Sequence, residues 1–373
     1  MISFYDVAPS FCAPHPASPL RVVVVPGDGI GPEVVRPAVK ALEVLARRFD
    51  FELRLSTRPW SAEHYLATGE TLPAGAIEQL RREADGILLG ALGDPRVPDH
   101  RHAEEILLGL RFGLDLYLNY RPVRLMAEEL GVLKGRGPAD VAFAIFRENT
   151  EGLYANVGGR LHGGGGHEVA IQEAVYTRLG VERILRAAFQ QATRWGAPLC
   201  LADKANAVRH GHGLWRRVFG ELAQEFPQVD ARASYADAVA AEMVMAPQRF
   251  GVLVAPNLLG DVLSDLGAAL AGGLGLAPSA SLHPGRPGLF EPVHGSAPDI
   301  AGQGISNPSA TLLSAALLLA VNGHQAAARA LDQAVVEVLQ FGPRTPELGG
   351  SASTEEVSAA VLERLEVTEA AGV

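Results

Sequence analysis

A run of four valines, Val22 to Val25, enters the turn Pro26-Gly-Asp-Gly-Ile-Gly31, and beyond it Glu33 to Arg48 carries apolar side chains at helical spacing. A strand of consecutive β-branched residues has no polar face, so it must be covered on both sides, as happens when helices pack above and below a largely parallel sheet. A second unit follows, with Phe51 to Leu55 as strand, Gly75 to Glu83 as helix, and the apolar strand Gly86 to Leu89 running into Gly90-Ala-Leu-Gly-Asp-Pro95. The alternation predicts an α/β protein whose sheet carries helices on both faces. Further strands are expected at Val141 to Phe146, Pro198 to Ala202 and Val252 to Ala255, each followed by polar residues.

Ala310 to Val321 is almost uninterruptedly apolar, but it is about half of the ~20 residues that a bilayer span requires, so it reads as a buried helix. Gly158 to Gly166 is glycine-rich, and its flanks Leu153 to Val157 and Glu168 to Ile171 are suited to pair as a hairpin arm serving a second subunit. Residues 1–20 hold Asp6, His15 and four prolines, with neither a basic start nor a sustained apolar core. A loose extension is expected there rather than a secretory signal.

The 373 residues carry a formal net charge of −10, which gives no electrostatic basis for binding nucleic acid or an anionic membrane. Any anionic ligand must therefore be held by a local cluster of bases. Cys12 and Cys200 are too few for a disulfide framework or a cysteine-ligated zinc, which fits a reducing cytoplasm.

Asp261 and Asp265 stand four apart in Asn257-Leu-Leu-Gly-Asp-Val-Leu-Ser-Asp265, directly after a strand, which on a helix stacks both carboxylates on one face. All-oxygen ligation there favours Mg²⁺ or Mn²⁺, although spacing alone also fits a solvated first turn. Arg111, Arg121 and Arg147 each lie near an element end. Three converging guanidinium groups suit a dicarboxylic acid, and three separate surface ion pairs fit the sequence too. Lys204, just past a strand in Leu201-Ala-Asp-Lys-Ala-Asn206, is a candidate general base if partial burial beside a metal lowers its pKa, and Tyr154 is a candidate general acid. Gly27, Gly29 and Gly31 form GxGxG rather than GxGxxG, and no acidic residue closes the following strand. A Rossmann fold is therefore not expected. The loop Glu291-Pro-Val-His-Gly-Ser-Ala-Pro-Asp299, continuing to Asn307, has the turn-forming and polar residues to hold adenosine and pyrophosphate instead.

Taken together and in order, these motifs resemble the β-decarboxylating dehydrogenases, the family of isopropylmalate, isocitrate, homoisocitrate and tartrate dehydrogenases. The resemblance runs from Arg21 to the C-terminus. Its markers are Pro26 to Glu33, Leu110-Arg111 through Arg121-Pro122, Arg147-Glu-Asn-Thr-Glu-Gly-Leu-Tyr154, Asp203-Lys-Ala-Asn206, Asn257 through Asp265, and Glu291 through Asp299. It implies the two-domain isocitrate/isopropylmalate dehydrogenase fold, α/β with a mixed central sheet and helices on both faces: a discontinuous cofactor-binding domain (21–116 and 272–373), and a second domain (117–271) with the metal site, the dimerisation surface and the arm at about 153–171.

The resemblance also implies a homodimer with shared active sites, in which Lys204, Asn206 and Asp237 reach into the neighbour's cleft. Asp261, Asp265 and the neighbour's Asp237 would hold Mg²⁺ or Mn²⁺. Arg111, Arg121 and Arg147 would hold the hydroxy dicarboxylic acid, Lys204 would accept the alcohol proton, and Tyr154 would protonate the enolate. NAD would meet Leu274, Gly275, Glu291, His294, Gly295, Ser296, Ala297, Asp299 and Asn307, with the Asp299 carboxylate disfavouring the 2′-phosphate of NADP.

In such enzymes the segment before the first arginine selects the substrate. Here Glu104, Leu107 and Leu108 are similar to the isopropylmalate enzymes, and the leucines suit a branched alkyl group. The expected reaction is oxidation and decarboxylation of 3-isopropylmalate to 4-methyl-2-oxopentanoate, as in leucine biosynthesis. Asn149-Thr-Glu-Gly152 occurs also in tartrate and homoisocitrate enzymes, Tyr120 stands where a smaller apolar residue is usual, and Ala207 stands where valine is usual. Ala207 would enlarge the pocket for other 3-alkylmalates. A catalytically silent regulatory subunit, the form some relatives take, is disfavoured because every catalytic position is occupied.

Overall fold

The valine strand and its relatives build the centre of the molecule. In chain order the strands of the computed structural model are β1 (Leu20–Gly27), β2 (Leu53–Thr57), β3 (Gly86–Ala91), β4 (Leu118–Arg124), β5 (Ala142–Glu148), β6 (Gly152–Leu161), β7 (Val169–Val175), β8 (Leu199–Asp203), β9 (Ala231–Tyr235), β10 (Val252–Ala255), β11 (Pro278–Leu282) and β12 (Gly288–Pro292). The helices are α1 (Gly31–Arg48), α2 (Ala62–Thr68), α3 (Ala76–Glu83), α4 (Arg101–Gly113), α5 (Arg178–Trp195), α6 (Gly211–Glu225), α7 (Ala236–Met245), α8 (Asn257–Leu270), α9 (Ser309–Val321), α10 (Gln325–Phe341) and α11 (Thr354–Val367). The structure describes residues 3–7, 9–13 and 15–367.

Ten strands form one sheet in the order β2-β1-β3-β12-β11-β4-β5-β10-β8-β9. Parallel pairs occupy both flanks, and the antiparallel pairs β12/β11, β11/β4 and β4/β5 sit in the middle. The expected domain boundaries, 116/117 and 271/272, place β4 and β11 in different halves, yet these strands are hydrogen-bonded neighbours, with Tyr120 opposite Ala280. The antiparallel centre did not emerge from the valine pattern, because β11 and β12 are short and contain Ser and Pro.

Gly27, Gly29 and Gly31 are needed for backbone packing. A Cβ on Gly27 would lie 2.0 Å from the Ala91 carbonyl oxygen, and one on Gly29 would lie 2.0 Å from that of Ser296. The turn is thus filled by its own chain, where a dinucleotide fingerprint would leave room for pyrophosphate. This agrees with a fold other than the Rossmann type.

Helix α9 is buried over its whole length and packs on β3, β11, β12, α1 and α10. A helix apolar all round has no face for water. Each of its leucines contributes on the order of 2 kcal/mol of burial, as an upper estimate. Among the described residues no helix is long and apolar enough to cross a membrane.

The N-terminal segment departs from the loose extension expected. Phe4, Tyr5, Val7 and Phe11 are buried; the Tyr5 hydroxyl donates to Asp332 of α10, and the Phe4 ring meets Trp195 of α5 edge-on. Prolines and the lack of periodicity concealed it, since an irregular segment can bury aromatic side chains without any repeat. The Tyr120 hydroxyl donates to the Phe4 carbonyl at 2.8 Å. Its large side chain therefore serves the docking of this segment, and the substitution does not reshape the substrate cleft.

The expected arm is an antiparallel pair, β6 and β7, standing apart from the main sheet. It leaves Val157, Leu161, Val169, Ile171 and Val175 exposed.

Candidate active site

The two α8 aspartates face the arginines of β4 and β5 because α8 leaves β10 directly over β5. A Cβ on Gly260 would lie 2.8 Å from the Arg147 side chain, so glycine is what lets Arg147 pass beneath the helix. Arg147 Nε donates to Asn257 Oδ1 at 2.8 Å, and its Nη1 pairs with Asp261. Arg121 is braced by Asn119 Oδ1 at 2.7 Å and Ser264 Oγ at 2.6 Å, and it reaches both Asp261 and Asp265 at 3.3 Å. Arg111, in the last turn of α4, donates from Nη2 to Glu291 Oε1 at 2.8 Å, while its buried Nε has no partner.

The Tyr154 hydroxyl donates to Asp261 Oδ2 at 2.8 Å, and the Arg147 guanidinium lies 5.2 Å from the centre of the Tyr154 ring. Burial pushes the Asp261 carboxyl up, but Arg147 and Arg121 outweigh it and hold its pKa below the ordinary value. Burial raises the pKa of Asp265, Asp261 adds to the rise, and Arg121 opposes it. Burial, and then the hydrogen bond and charge of Asp261, raise Tyr154, which stays a proton donor. Desolvation lowers the pKa of both Arg121 and Arg147.

Arg111, Arg121, Arg147, Tyr154, Asp261 and Glu291 line one cleft of about 360 Å³, a size suited to a small-molecule site, whereas Asp265 is not among its lining residues. Leu107, Leu108 and Glu104 enter it from α4, and Glu291, His294 and Gly295 enter from the opposite side. Lys204, Asn206 and Asp237 are not among its lining residues. Lys204 Nζ bonds Asp237 Oδ1 at 2.6 Å, and its side chain is 32% exposed, so one chain does not supply the burial expected around it. Ala207 is exposed as well. Among the described residues no three metal-ligating side chains come together. Asp261 and Asp265 offer hard oxygen donors one turn apart on α8, a donor set that fits part of a Mg²⁺ or Mn²⁺ shell.

Of the cofactor candidates, Glu291, His294 and Gly295 line the cleft itself. His294 Nε2 and Asn307 Nδ2 are buried without partners, as side chains shaped to meet a polar ligand would be. Burial lowers the His294 pKa, leaving a neutral ring. Leu274 is 40% exposed, the Gly275 amide is taken by Glu347 Oε1 at 3.0 Å, and Ala297 adopts φ of 39°. Ser296 is buried, its carbonyl accepting from the Ile30 amide, whereas Asp299 is exposed. Glu291, also expected at the cofactor, is bonded to Arg111.

Sequence reading missed Asn119 and Ser264, which brace Arg121, Ser279, which lines the cleft, and Glu347. Asn119 was open to detection, since it lies two residues before Arg121 and shares its face of β4. Glu347 was not, because it arrives from a distant turn.

The chain matches the isocitrate/isopropylmalate dehydrogenase family model over residues 21–361. It is 45% identical over 352 residues to the 3-isopropylmalate dehydrogenase of Thermobifida fusca, covering 94% of this chain and 98% of that protein. It is 43% identical to the decarboxylating D-malate dehydrogenase of Escherichia coli, covering 92% and 97%, and 42% identical to a probable tartrate dehydrogenase/decarboxylase of Agrobacterium vitis, covering 92% and 97%. The solved isocitrate dehydrogenase of Methylococcus capsulatus superposes with a TM-score of 0.83 at 36% identity, over 93% of this chain and 99% of that one. With its mixed sheet, its α8 aspartates and these relatives, the chain belongs to the isocitrate/isopropylmalate dehydrogenase family of decarboxylating dehydrogenases.

Proposed function

We propose that the chain oxidises and decarboxylates a 3-alkylmalate with NAD, and that its substrate is 3-isopropylmalate. The observation that carries this reading is the placement of Leu107 and Leu108 in the same cleft as Arg111, Arg121, Arg147, Tyr154 and Asp261. The arginines take the two carboxylates, and the leucines cover the alkyl branch. Burying three alkyl carbons is worth roughly 2.4 kcal/mol, or about 60-fold in kcat/KM over unsubstituted malate.

Asp261 and Asp265 would hold Mg²⁺ or Mn²⁺ together with Asp237 of a second copy. When bound, the cation supplies Lewis acidity at the substrate hydroxyl and NAD supplies the hydride acceptor. A carboxylate taking the arginines and a cation taking the aspartates arrive as matched charges, so neither side of the ion-pair network is left bare. Lys204 of the second copy receives the hydroxyl proton. Tyr154 holds a proton at Oη and delivers it to the carbon that has lost CO₂. Glu104 lies at the mouth of the same cleft, His294 and Asn307 receive the adenosine, and the exposed Asp299 repels a 2′-phosphate.

Exposed Val262 of α8 and exposed Val244 and Met245 of α7, together with the arm, form the apolar surface that a second copy covers. The net charge of −10 gives neither nucleic acid nor an anionic membrane an electrostatic hold on this surface.

A panel of isopropylmalate, D-malate, tartrate and homoisocitrate, followed by NADH formation with Mn²⁺ present, tests the assignment. Isopropylmalate is expected to give the highest kcat/KM. A higher value for D-malate or tartrate makes those relatives the better guide, and it removes the alkyl-pocket role of the leucines.

A further inference from the structure

Asp28, inside the Pro26–Gly31 turn, and His102, in the first turn of α4, are both buried, His102 completely. Nothing in the reaction described above uses either. His102 Nε2 lies 2.8 Å from Asp28 Oδ2, which also accepts from the Gly93 amide at 2.9 Å, while Asp28 Oδ1 accepts from the Ala62 amide at 2.6 Å. One carboxylate thus ties together the first turn of the chain's sheet, the start of α2, the loop after β3, and α4. A carboxylate oxygen accepts, so Nε2 is the donor of this bond; the buried Nδ1 has no partner. Tyr65 of α2 stacks on the imidazole with centroids 6.2 Å apart.

Immediately before this anchor the backbone is strained. Asp99 and His100 both adopt left-handed φ, 59° and 53°, although neither is glycine. Consecutive left-handed non-glycine residues persist only when their surroundings hold them there. The bond from Asp28 to His102 is the first buried side-chain contact after them, and α4 then carries Leu107, Leu108 and Arg111 into the cleft.

We infer that Asp28 and His102 are a positioning pair that sets the register of α4 and thereby places the leucine wall and Arg111 against the substrate. The inference rests on the reading of α4 as the substrate-selecting helix. Neither residue touches the substrate. The bond acts through α4, whose displacement by even one ångström alters a site built to fixed distances.

The test compares wild type, His102→Leu and His102→Gln. A glutamine amide can occupy the place of Nε2 and donate to Asp28, and nothing is lost at Nδ1. In His102→Leu the KM for the hydroxy acid is expected to rise about tenfold or more, with kcat changing much less, because binding shared by ground and transition states is lost. His102→Gln is expected to bring KM back to within about threefold of wild type. Amide hydrogen exchange over residues 101–113 is expected to quicken in His102→Leu and recover in His102→Gln.

A wild-type KM and wild-type exchange over α4 in His102→Leu, with only a lowered Tm, would overturn the proposal. If His102→Leu does not fold, His102→Asn replaces it: its amide is too short to reach Asp28, the same KM rise is expected, and an unchanged KM overturns the idea. If wild type turns over none of the panel, the substrate reading fails on its own. The exchange comparison then still decides the pair, with unchanged exchange counting against it.

Discussion

The Tyr154 hydroxyl donates to Asp261 Oδ2 at 2.8 Å, so the candidate acid is held by one of the candidate cation ligands. Oxygen donor, proton and carboxylate therefore share one alignment. Tyr154→Phe keeps the ring beside Arg147 and deletes the proton. A first burst of NADH at nearly the wild-type rate is expected, followed by steady turnover reduced by ~10²–10⁴. Rapid-mixing absorbance measurements check this, and undiminished steady turnover would remove Tyr154 from the proton transfer.

Asp261 and Asp265 look equivalent in sequence, but the structure separates them. Asp261 pairs with the buried Arg147 and Arg121, whereas Asp265 meets only Arg121 and its side chain is 57% exposed. Asp261→Asn leaves two buried guanidinium groups short of negative charge and is expected to cost about 3 kcal/mol of stability as well as cation affinity. Asp265→Asn is expected to keep Tm near wild type while raising the Mn²⁺ concentration needed for activity. Calorimetry and a Mn²⁺ titration of chelator-treated enzyme distinguish the two. Equal Tm losses would contradict the assigned ion pairs.

Glu148 is fully buried at the end of β5, where burial pushes its carboxyl up from 4.5 to about 7 despite hydrogen bonds from Thr150 and Glu151. A folded-state value raised above the unfolded one gives stability that is complete below the unfolded pKa and is lost as pH rises through the folded one. Glu148→Gln loses an acceptor at every pH but does not titrate. The stability advantage of wild type over Glu148→Gln is therefore expected to shrink by roughly 3 kcal/mol between acid and neutral pH. Urea unfolding at half-unit pH steps measures it, and a flat difference refutes the shift.

Removal of residues 1–13 deletes the buried Phe4, Tyr5, Val7 and Phe11 together with the Tyr5 bond to Asp332. It also leaves the Tyr120 hydroxyl buried without its acceptor. After the entropy of ordering the segment is set against this burial, a loss of about 3 kcal/mol is expected, read as a lower Tm by calorimetry. An unchanged Tm would mean that the segment is bound no more firmly than a solvated tail.

The legible parts of this molecule were those with local periodicity or local chemistry. The strand at Val252 to Ala255 is found where the apolar pattern puts it, and the apolar run from Ala310 lies within α9. Arg111, Arg121 and Arg147 were visible as residue types, but their convergence depends on β4, β5 and α4 meeting, which spacing does not encode. The same limit explains Glu291: sequence placed it in a loop with the cofactor residues, while β12 turns its carboxylate onto Arg111. The N-terminal aromatics were overlooked because a single irregular pass over a surface has no period.

The hydrogen bonds between β4 and β11 join the two halves of the chain through the middle of a single ten-stranded sheet. No slack tether lies between the walls of the cleft. Any narrowing of it around a ligand would have to be carried by the strands the two walls share, a load for a leaf spring and not for a pin.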